Sequence, residues 1–413
     1  MVENMKYVIL IGDGMADNPM DELDGRTPLE FAHTPNLDAL AGTGKFGLFA
    51  TVPPGYPPGS DVANLSVLGY DPRKYYTGRA PLEAASIGVQ LKEGDVAFRC
   101  NLVTLVEKDG LVVMDDYSAG HISTGEAAEL IKTLDRVLAG KGVRLYPGTS
   151  YRHLMVWEKG PAGKLTCTPP HDISDKKIDD YLPKGDGAEK LLELMELSQE
   201  VLLGHDVNKD RVGAGKKPAS SIWLWGQGTA PRMPTIKQRF GVDGAIISAV
   251  DLMKGIGIYA GLEVLKVPGV TGYIDTNYDG KAEYALDVLG RKDFVVVHVE
   301  APDEAGHQGN LEHKIQAIED FDMKIVGPVL EGLEKFGEYR VLVLPDHPTP
   351  LALKTHTSDP VPFAMCTGSA LASEKGSARF SEREAGESGL LEEDCGVLME
   401  EFFGIPERVC DLK

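Results

Sequence analysis

Residues 341–350 read VLVLPDHPTP, an apolar run followed by the neighbouring pair Asp346 and His347 and then by two prolines. A short, unbroken run of aliphatic residues is typical of a strand buried on both faces of a parallel sheet. The acid and the imidazole stand where that strand ends, and open α/β proteins hold their ligands at this edge. Asp and His are also common in turns, so the rest of the sequence decides between a turn and a ligand site.

Two other segments repeat the strand pattern, KYVILIG at 6–12 and FVVVHVEAP at 294–302, and the quoted strand extends back to residue 339. Segments with apolar residues at helical spacing lie between them, at 278–289 and 310–335. This alternation of strands and helices predicts right-handed crossovers and a mostly parallel sheet with helices on both faces.

The middle of the chain has a different pattern. Residues 98–117 and 143–157 each look like a β-hairpin. Ser123 followed by Glu126 is a capping-box signature that opens a helix, and a second helix is predicted from 188 to about 203. Hairpins with helices on one side indicate a small α+β domain.

This α+β segment interrupts the α/β core. A predicted loop at 207–221 closes the segment, and we place its edges near residues 82 and 220. The sequence therefore predicts a discontinuous α/β core, 1–81 plus 221–413, with an inserted cap domain at 82–220.

The composition is that of an ordinary globular protein, with 413 residues, 42% hydrophobic and 25% charged. The formal net charge of −21 argues against nucleic acid or an anionic membrane surface as the partner. No apolar stretch approaches the ~18 residues of a membrane span, and no cleavable signal pattern opens the chain. The five cysteines form no CxxC pair, so we expect reduced thiols and a cytoplasmic location.

Three aspartates and three histidines follow the ends of predicted strands. They are Asp13 in IGDG, Asp303 and His307 in APDEAGH, Asp346 and His347 in LPDH, and His356 in KTHTSDP. Asp303 and His307 are four residues apart, which is one helical turn if the chain coils after Pro302. Because a parallel sheet gathers its strand ends at one edge, we expect these six side chains to meet.

The six side chains together predict a metal centre. Carboxylate and imidazole groups suit Mn²⁺ or Zn²⁺ rather than Ca²⁺. Six ligands are too many for one catalytic ion with open positions, but they suit two ions about 4 Å apart with three protein ligands each. A structural role is the alternative for any single residue. His298, inside the strand VVVHVE, is expected to be a hydrogen-bonded core histidine rather than a ligand.

A two-metal centre also needs a nucleophile, and Ser60 in PPGSDVANLS is the candidate. A Gly-Ser step at the start of a helix exposes the hydroxyl and directs backbone N–H groups at an incoming anion. Free serine is a weak nucleophile, and metal coordination would lower the pKa of its hydroxyl. Gly-Ser is a common loop pair, so this assignment depends on the metal set beside it.

The fragments IGDG, PPGSDVANLS, APDEAGH, LPDH and THTSDPVPF, in this order, resemble the cofactor-independent phosphoglycerate mutases of the alkaline phosphatase superfamily, and most closely their archaeal-type branch. The resemblance covers nearly the whole chain. It implies an alkaline-phosphatase-like core and interconversion of 3-phosphoglycerate and 2-phosphoglycerate without 2,3-bisphosphoglycerate. It also implies a small phosphorylated carboxylate as substrate and two divalent ions, preferably Mn²⁺, with Zn²⁺, Co²⁺ or Mg²⁺ as alternatives.

The resemblance also implies roles for single residues. The ligand sets are Asp303, His307 and His356 for one ion, and Asp13, Ser60, Asp346 and His347 for the other. Ser60 would attack the phosphate and form phosphoserine and bound glycerate. The glycerate would then reorient and take the phosphate back on its 2-oxygen.

Glycerate must be held away from water during this reaction, since otherwise the enzyme becomes a phosphatase. Cationic side chains should therefore bind its carboxylate and the phosphate, and arginine can do so with two parallel hydrogen bonds. The candidates are His121, Arg152, Arg232 and Lys254. His121 stands where many archaeal-type relatives carry arginine, and a surface role is the alternative for each of the four.

Three other functions stay open at this point. A phosphotransferase acting on a small amino-acid alcohol such as homoserine would use the same metal centre with fewer cations in the pocket. A metal-dependent phosphatase or phosphodiesterase would leave Ser60 more open to water. A metal-binding protein without turnover would have no need of a hydroxyl beside its ions.

Overall fold

The computed structural model describes residues 5–161, 163, 165–373 and 376–404. Fifteen strands lie within these residues. In chain order they are β1 (Lys6–Gly12), β2 (Lys45–Phe49), β3 (Val96–Lys108), β4 (Leu111–Asp116), β5 (Val143–Tyr146), β6 (Arg152–Trp157), β7 (Leu165–Thr166), β8 (Lys184–Gly185), β9 (Ser221–Thr229), β10 (Gly244–Ile247), β11 (Glu263–Val264), β12 (Phe294–Val299), β13 (Tyr339–Leu344), β14 (Val361–Thr367) and β15 (Leu391–Glu392).

The same residues contain seventeen α-helices. They are α1 (Pro28–Phe31), α2 (Pro35–Thr43), α3 (Ser60–Val67), α4 (Pro72–Tyr75), α5 (Arg79–Ser86), α6 (Thr124–Leu138), α7 (Ala188–Leu203), α8 (Asp206–Gly213), α9 (Ile236–Phe240), α10 (Asp251–Tyr259), α11 (Tyr278–Val288), α12 (Ala301–Gln308), α13 (Leu311–Phe321), α14 (Gly327–Leu333), α15 (Gly368–Ser373), α16 (Glu382–Glu387) and α17 (Cys395–Phe402). A π-helical turn at Asp322–Val326 joins α13 to α14. The helices predicted at 278–289 and 310–335 are thereby confirmed.

The chain forms two compact units. The first consists of Met1–Tyr76 and Arg232–Lys413, and the second of Thr77–Pro231. The second unit is wider than the predicted cap segment at 82–220. The reason is that α5 packs on β3 and β9, so both the helix and the strand belong to this unit.

The first unit is built on an eight-stranded sheet with the order β11-β10-β12-β1-β13-β14-β2-β15. β1 pairs in parallel with both β12 and β13, while β14 runs antiparallel to its neighbours β13 and β2. All six residues of β12 are buried, as expected for a central parallel strand. The predicted mostly parallel α/β sheet is confirmed.

Helices cover both faces of this sheet. Val8 and Leu10 of β1 belong to a core shared with Phe321 of α13. Tyr7 points to the opposite face, because side chains alternate along a strand. Its ring centroid lies 5.6 Å from that of Phe402 in α17 and 5.0 Å from that of Phe403. The faces of the central strands are therefore shielded from water on either side.

The second unit is an α+β structure. Its five-stranded sheet has the order β4-β3-β6-β5, with β9 on the other edge of β3, and its paired strands are antiparallel. The two predicted hairpins are β3–β4 and β5–β6. Ser123 caps α6 through a capping box with Glu126, and α7 spans the predicted 188–203. These predictions are confirmed.

One prediction in this unit is wrong. The first half of the loop predicted at 207–221 is helix α8, which begins after His205. The helix has no apolar periodicity that could reveal it. It is capped by the His205 side chain, whose Nδ1 accepts a hydrogen bond from the Val207 N–H at 3.2 Å. Asn208 then anchors it by donating to the carbonyl oxygen of Ala219 at 2.7 Å.

Three central strands of the first unit end side by side. Gly12 of β1 is in register with Val299 of β12, and Ile11 is in register with Leu344 of β13. The loops that follow these strands therefore leave the sheet together at its carboxyl edge. Asp13, Asp303 and Asp346 lie in or just after these loops.

Among the described residues, no helix has both the length and the apolar character required to cross a membrane. Cys100, Cys167, Cys366 and Cys395 are free thiols, as expected. The fifth cysteine, Cys410, lies outside the described residues.

Candidate metal centre

Asp13 begins the loop after β1. Its backbone N–H donates to the carbonyl oxygen of Val299 at 3.0 Å, which aligns the loop with the end of β12. The next residue, Gly14, has a φ of +63°, and a Cβ at this position would lie 2.6 Å from Thr349 Oγ1. Only glycine allows the loop to pass so close to its neighbour. The Asp13 carboxylate is buried as a result.

The loop after β12 becomes helix α12, which places Asp303 and His307 one turn apart on one face. His307 Nε2 lies 3.3 Å from Asp303 Oδ2 and 2.9 Å from His356 Nε2. His356 Nε2 lies 3.3 Å from Asp303 Oδ1. The three side chains assigned to one ion from the sequence thus lie together, and their role as ligands stays a prediction.

The loop after β13 carries Asp346 and His347, both fully buried. His347 Nε2 lies 3.5 Å from Asp346 Oδ2 and 3.6 Å from Asp13 Oδ1. Ser60 Oγ lies 3.1 Å from the same nitrogen. The four groups predicted to hold a second ion therefore lie together around His347 Nε2.

Asn64 links the nucleophile candidate to this set, and sequence reasoning missed it. Ser60 is the first residue of α3, and Asn64 follows one turn later. The fully buried Asn64 amide donates to the Ser60 carbonyl oxygen at 2.9 Å and to Asp346 Oδ2 at 2.7 Å. Its position four residues after Ser60, on the same helical face, is the signal that could have identified it.

The close packing of acids and imidazoles changes how they titrate. Burial and the neighbouring carboxylates of Asp346 and Asp303 raise the pKa of Asp13 well above its ordinary value. Burial acts in the same direction on Asp303, but hydrogen bonds from His307 and His356 outweigh it and hold the pKa of Asp303 well below its ordinary value. The same bond to Asp303 raises the pKa of His307 to about 9. The cluster thus carries concentrated negative charge that a cation would offset.

The donor set fits a divalent metal ion. Two groups that share His347 have ligand atoms within 4.8 Å of one another, and they are Asp303–His347–His356 and Asp13–Asp346–His347. Asp13 Oδ1 is buried and has no hydrogen-bond partner among the described residues, which is costly for a carboxylate unless a cation binds it. Mixed carboxylate and imidazole ligands suit Mn²⁺ or Zn²⁺.

His298 stands behind Asp13 as a buried, hydrogen-bonded core histidine, as the sequence predicted. Its Nδ1 lies 3.2 Å from Glu300 Oε1, and its Nε2 lies 3.4 Å from Asp13 Oδ2. The fully buried Lys281 ammonium donates to Glu300 Oε2 at 2.8 Å. Sequence reasoning missed Glu300 and Lys281, although an acid directly after a buried strand was a usable signal for the first.

The four predicted substrate-binding residues are divided between the units. His121 and Arg152 lie in the second unit, and both contact Tyr151. The rings of His121 and Tyr151 have centroids 6.4 Å apart, and the Arg152 guanidinium lies 5.2 Å from the centroid of the Tyr151 ring. Two of the four candidates therefore contact the same tyrosine ring.

Arg232 and Lys254 lie in the first unit. Arg232 is exposed. The Lys254 ammonium donates to the Ala249 carbonyl oxygen at 2.9 Å and to Asp251 Oδ1 at 3.2 Å, so it is held by the start of its own helix. Substrate binding by either residue stays a prediction.

A buried arginine in the second unit escaped the sequence analysis. Arg99 in β3 is only 8% exposed, and its guanidinium lies 4.1 Å from the centroid of the Trp225 ring and 3.0 Å from Glu83 Oε2. Burial, together with the nearby charges of Arg79 and Arg152, lowers the pKa of Arg99 to about 10. We call Arg79, Arg99 and Arg152 the arginine cluster. The signal that could have identified Arg99 is an arginine inside the apolar strand VAFRCNLV.

Comparison with known proteins gives consistent matches. The model of the family described as 2,3-bisphosphoglycerate-independent phosphoglycerate mutase matches residues 41–208. The enzyme of that name from Methanosarcina acetivorans is 59% identical over 362 residues, covering 87% of this chain and 90% of its own. The one from Methanothrix thermoacetophila is 55% identical over 386 residues, covering 93% and 96%.

Two solved structures resemble the whole chain. A protein from Pyrococcus horikoshii is 31% identical with a TM-score of 0.80, covering 98% of this chain and 99% of its own. The cofactor-independent phosphoglycerate mutase from Thermoplasma acidophilum is 27% identical with a TM-score of 0.66, covering 96% and 98%. The similarity thus extends over both units.

Proposed function

The chain belongs to the family of 2,3-bisphosphoglycerate-independent phosphoglycerate mutases, and we propose that it interconverts 3-phosphoglycerate and 2-phosphoglycerate through a phosphorylated Ser60 beside two divalent ions. Family membership supplies the reaction, the small phosphorylated carboxylate as substrate and the use of divalent metal. The phosphoserine, the number of ions and the residues that hold them are our proposal.

The six acids and histidines and the Ser60 hydroxyl would hold the ions. One set is Asp303, His307 and His356, and the other is Asp13, Ser60, Asp346 and His347. Bound ions would lower the pKa of the serine hydroxyl and offset the charge of the phosphate. Mixed carboxylate and imidazole ligands suit both Mn²⁺ and Zn²⁺, and Mn²⁺ is the proposed ion because the family resemblance implies it.

The transfer would proceed in two balanced steps. Ser60 Oγ forms a bond to phosphorus while the bond between phosphorus and the 3-oxygen of the substrate breaks. The glycerate then turns, and its 2-oxygen bonds to phosphorus while the bond to Oγ breaks. In the first step the proton of the Ser60 hydroxyl passes to the departing 3-oxygen, and in the second step the proton of the 2-hydroxyl passes to Oγ, so no other reactant is consumed.

The position of the Ser60 hydroxyl is the observation that supports this mechanism. Oγ lies 3.1 Å from His347 Nε2, within the cluster of acids and imidazoles. Ser60 also begins an eight-residue helix whose N-cap, Gly59, makes no side-chain hydrogen bond to the first turn. The Val62 N–H already donates to Asp61 Oδ1 at 3.1 Å, so an incoming phosphate would have to bind the N–H groups of Ser60 and Asp61.

We propose that the arginine cluster, with His121 beside it, binds the anionic groups of the substrate. Guanidinium groups form paired hydrogen bonds with carboxylate and phosphate. Glu83 and Trp225 fix the plane of Arg99, so less side-chain entropy is lost on binding. A substrate with two anionic groups fits such a cluster better than a zwitterionic amino acid.

This reaction is a step of glycolysis, and we propose on that ground that the protein acts in the cytoplasm.

Replacement of Ser60 by alanine tests the mechanism. Wild-type chain loaded with Mn²⁺ is incubated with 3-phosphoglycerate without nucleotide, and the quenched, metal-free mixture is followed by phosphorus NMR. We expect a growing 2-phosphoglycerate signal for the wild type and none for Ser60→Ala. Ser66→Ala, a second serine on the same helix, is the matched control and should keep full activity. Full mutase activity in Ser60→Ala would rule out the phosphoserine.

A further inference from the structure

Thr349 lies between the two proposed ligand sets. It is fully buried, and its hydroxyl Oγ1 donates to Asp303 Oδ1 at 2.5 Å. The same oxygen lies 3.3 Å from His347 Nδ1. Asp303 belongs to one set and His347 to the other, so a single hydroxyl contacts a member of each.

The direction of these hydrogen bonds follows from the groups involved. An ionised carboxylate only accepts, so the Thr349 hydroxyl must direct its hydrogen at Asp303. The oxygen then has only lone pairs for His347, whose Nδ1 must carry the proton. This tautomer leaves the lone pair of His347 on Nε2, the nitrogen that lies among Ser60 and Asp13.

The backbone of Thr349 is held firmly from both ends. Its N–H donates to the Ala16 carbonyl oxygen at 3.1 Å, and its carbonyl oxygen accepts from the Lys314 ammonium at 2.7 Å. Lys314 is fully buried and also donates to Asp17 Oδ2 at 2.7 Å. A Cβ on Gly306 would lie 2.6 Å from the Thr349 carbonyl oxygen, so helix α12 packs against the loop. These backbone contacts therefore hold the Thr349 hydroxyl in a fixed position.

We propose that Thr349 is a positioning residue that fixes the Nδ1–H tautomer of His347 and ties its ring to the Asp303 carboxylate. Through this link the two ligand sets are oriented together. The inference rests on the proposed two-ion centre. Hydrogen-bond partners behind metal ligands typically change metal affinity or activity by 10–100-fold when they are removed.

The alternative is that Thr349 only fills space in the core. Valine has nearly the shape of threonine and lacks the hydroxyl, while serine keeps the hydroxyl and loses the methyl group. A space-filling role predicts that Thr349→Val is harmless and Thr349→Ser is harmful. A positioning role predicts that Thr349→Val weakens metal binding and that Thr349→Ser leaves it nearly unchanged.

The test is Mn²⁺ binding by the full chain, measured by isothermal titration calorimetry after removal of bound metal. We expect Thr349→Val to weaken binding by about 10–100-fold and Thr349→Ser to stay close to the wild type. Thr34→Val is the matched control, because Thr34 is also buried and its hydroxyl has no hydrogen-bond partner in the described part of the chain. If Thr349→Val does not fold, Thr349→Ala carries the same expectation, since it keeps the backbone bonds.

A second measurement determines the tautomer of His347 directly. Nitrogen-15 NMR of histidine-labelled, Zn²⁺-loaded chain, with the signal of His347 assigned from a His347→Gln variant, should show a protonated Nδ1 and a metal-bound Nε2. Thr349→Ser should preserve this pattern, and Thr349→Val should alter the Nδ1 signal.

The outcomes separate the inference from the proposed function. No Mn²⁺ binding by the wild type would overturn the metal centre and the inference with it. Normal binding by the wild type, with equal affinities and unchanged Nδ1 signals in Thr349→Val and Thr349→Ser, would overturn the inference and leave the mechanism standing.

Discussion

At the scale of single residues, Asp346 and His347 form hydrogen bonds with different partners although they are adjacent in the chain. Asp346 Oδ1 accepts from the backbone N–H groups of Gly14 and His347, and its Oδ2 accepts from Asn64. His347 contacts Thr349 through one ring nitrogen and Ser60 through the other. Neighbours in a strand would point to opposite faces, and both reach the same site because the strand has already ended at Leu344.

Arg99 carries the prediction that belongs to this scale. Loss of a hydrogen bond to a charged group costs about 1.5–3 kcal/mol. We therefore expect Arg99→Met to raise the KM for 3-phosphoglycerate by about 10–100-fold in steady-state assays, with a smaller change in kcat. Arg144→Met is the control, because Arg144 is an exposed arginine of the same unit that pairs with Asp135. Equal KM values for both variants would remove Arg99 from substrate binding.

The meeting of three acids at one edge of the sheet was predictable from their neighbours in the chain, while their role as ligands stays a prediction. Asp13, Asp303 and Asp346 each follow an apolar strand, and the strand marks the edge at which they meet. Thr349 and Asn64 could not be identified in this way. The role of Thr349 depends on its contact with Asp303, which is distant in the chain, and PDHPT alone gives no sign of it. For Asn64 the spacing from Ser60 is a local signal, but its contact with Asp346 is distant in the chain.

At the scale of secondary-structure elements, a buried ion pair joins helix α11 to the end of strand β12. Lys281 and Glu300 are both buried, and their charged atoms lie 2.8 Å apart. Removal of one partner leaves the other charge unpaired in a dry environment. This cost is larger than the net stabilisation from the pair itself.

Lys281→Met should therefore lower the free energy of unfolding by about 3–5 kcal/mol, measured by urea denaturation. The double variant Lys281→Met, Glu300→Gln removes both charges and should recover most of the loss. A double variant as unstable as the single one would contradict this account, since the damage would then come from lost packing rather than from an unpaired charge.

Elements with a strong periodic pattern were predictable, and those without one were not. β1 and α7 have the predicted bounds because an unbroken apolar run and a regular apolar stripe define them. Helix α8 reads DVNKDRVG, with only two valines among polar residues, and it depends on His205 and Asn208, so its sequence resembles a loop. The borders of the second unit lie outside the predicted ones, since α5 joins the unit by packing on β3 and β9, and β9 joins it by antiparallel pairing with β3.

At the scale of the whole molecule, we expect metal binding to affect stability as well as chemistry. The chain carries a net charge of −21, and bound cations would reduce it. Burial and the neighbouring carboxylates of Asp346 and Asp303 raise the pKa of Asp13, so the ionised form of Asp13 opposes folding. A cation that binds only the folded chain stabilises it by mass action.

Removal of metal should therefore lower the melting temperature. Mn²⁺ at about 100 times its Kd stabilises the folded chain by about 2.7 kcal/mol for each site that it fills. Differential scanning calorimetry with Mn²⁺ or with EDTA would measure the shift in melting temperature. Asp13→Asn should reduce the difference between the two conditions. A melting temperature that is the same with metal and with chelator would contradict a metal centre in the folded chain.

The order of β1, β12 and β13 along the chain has a consequence for biosynthesis. β1 leaves the ribosome before both of its sheet partners, which lie more than 280 residues later in the chain. At about 5–20 residues per second, β1 waits roughly 20–60 s before β13 is made. The second unit is one continuous segment and can fold during this interval. The nascent chain thus carries an apolar strand without its partners throughout this interval, and a chaperone that shields β1 would have its largest effect in that period.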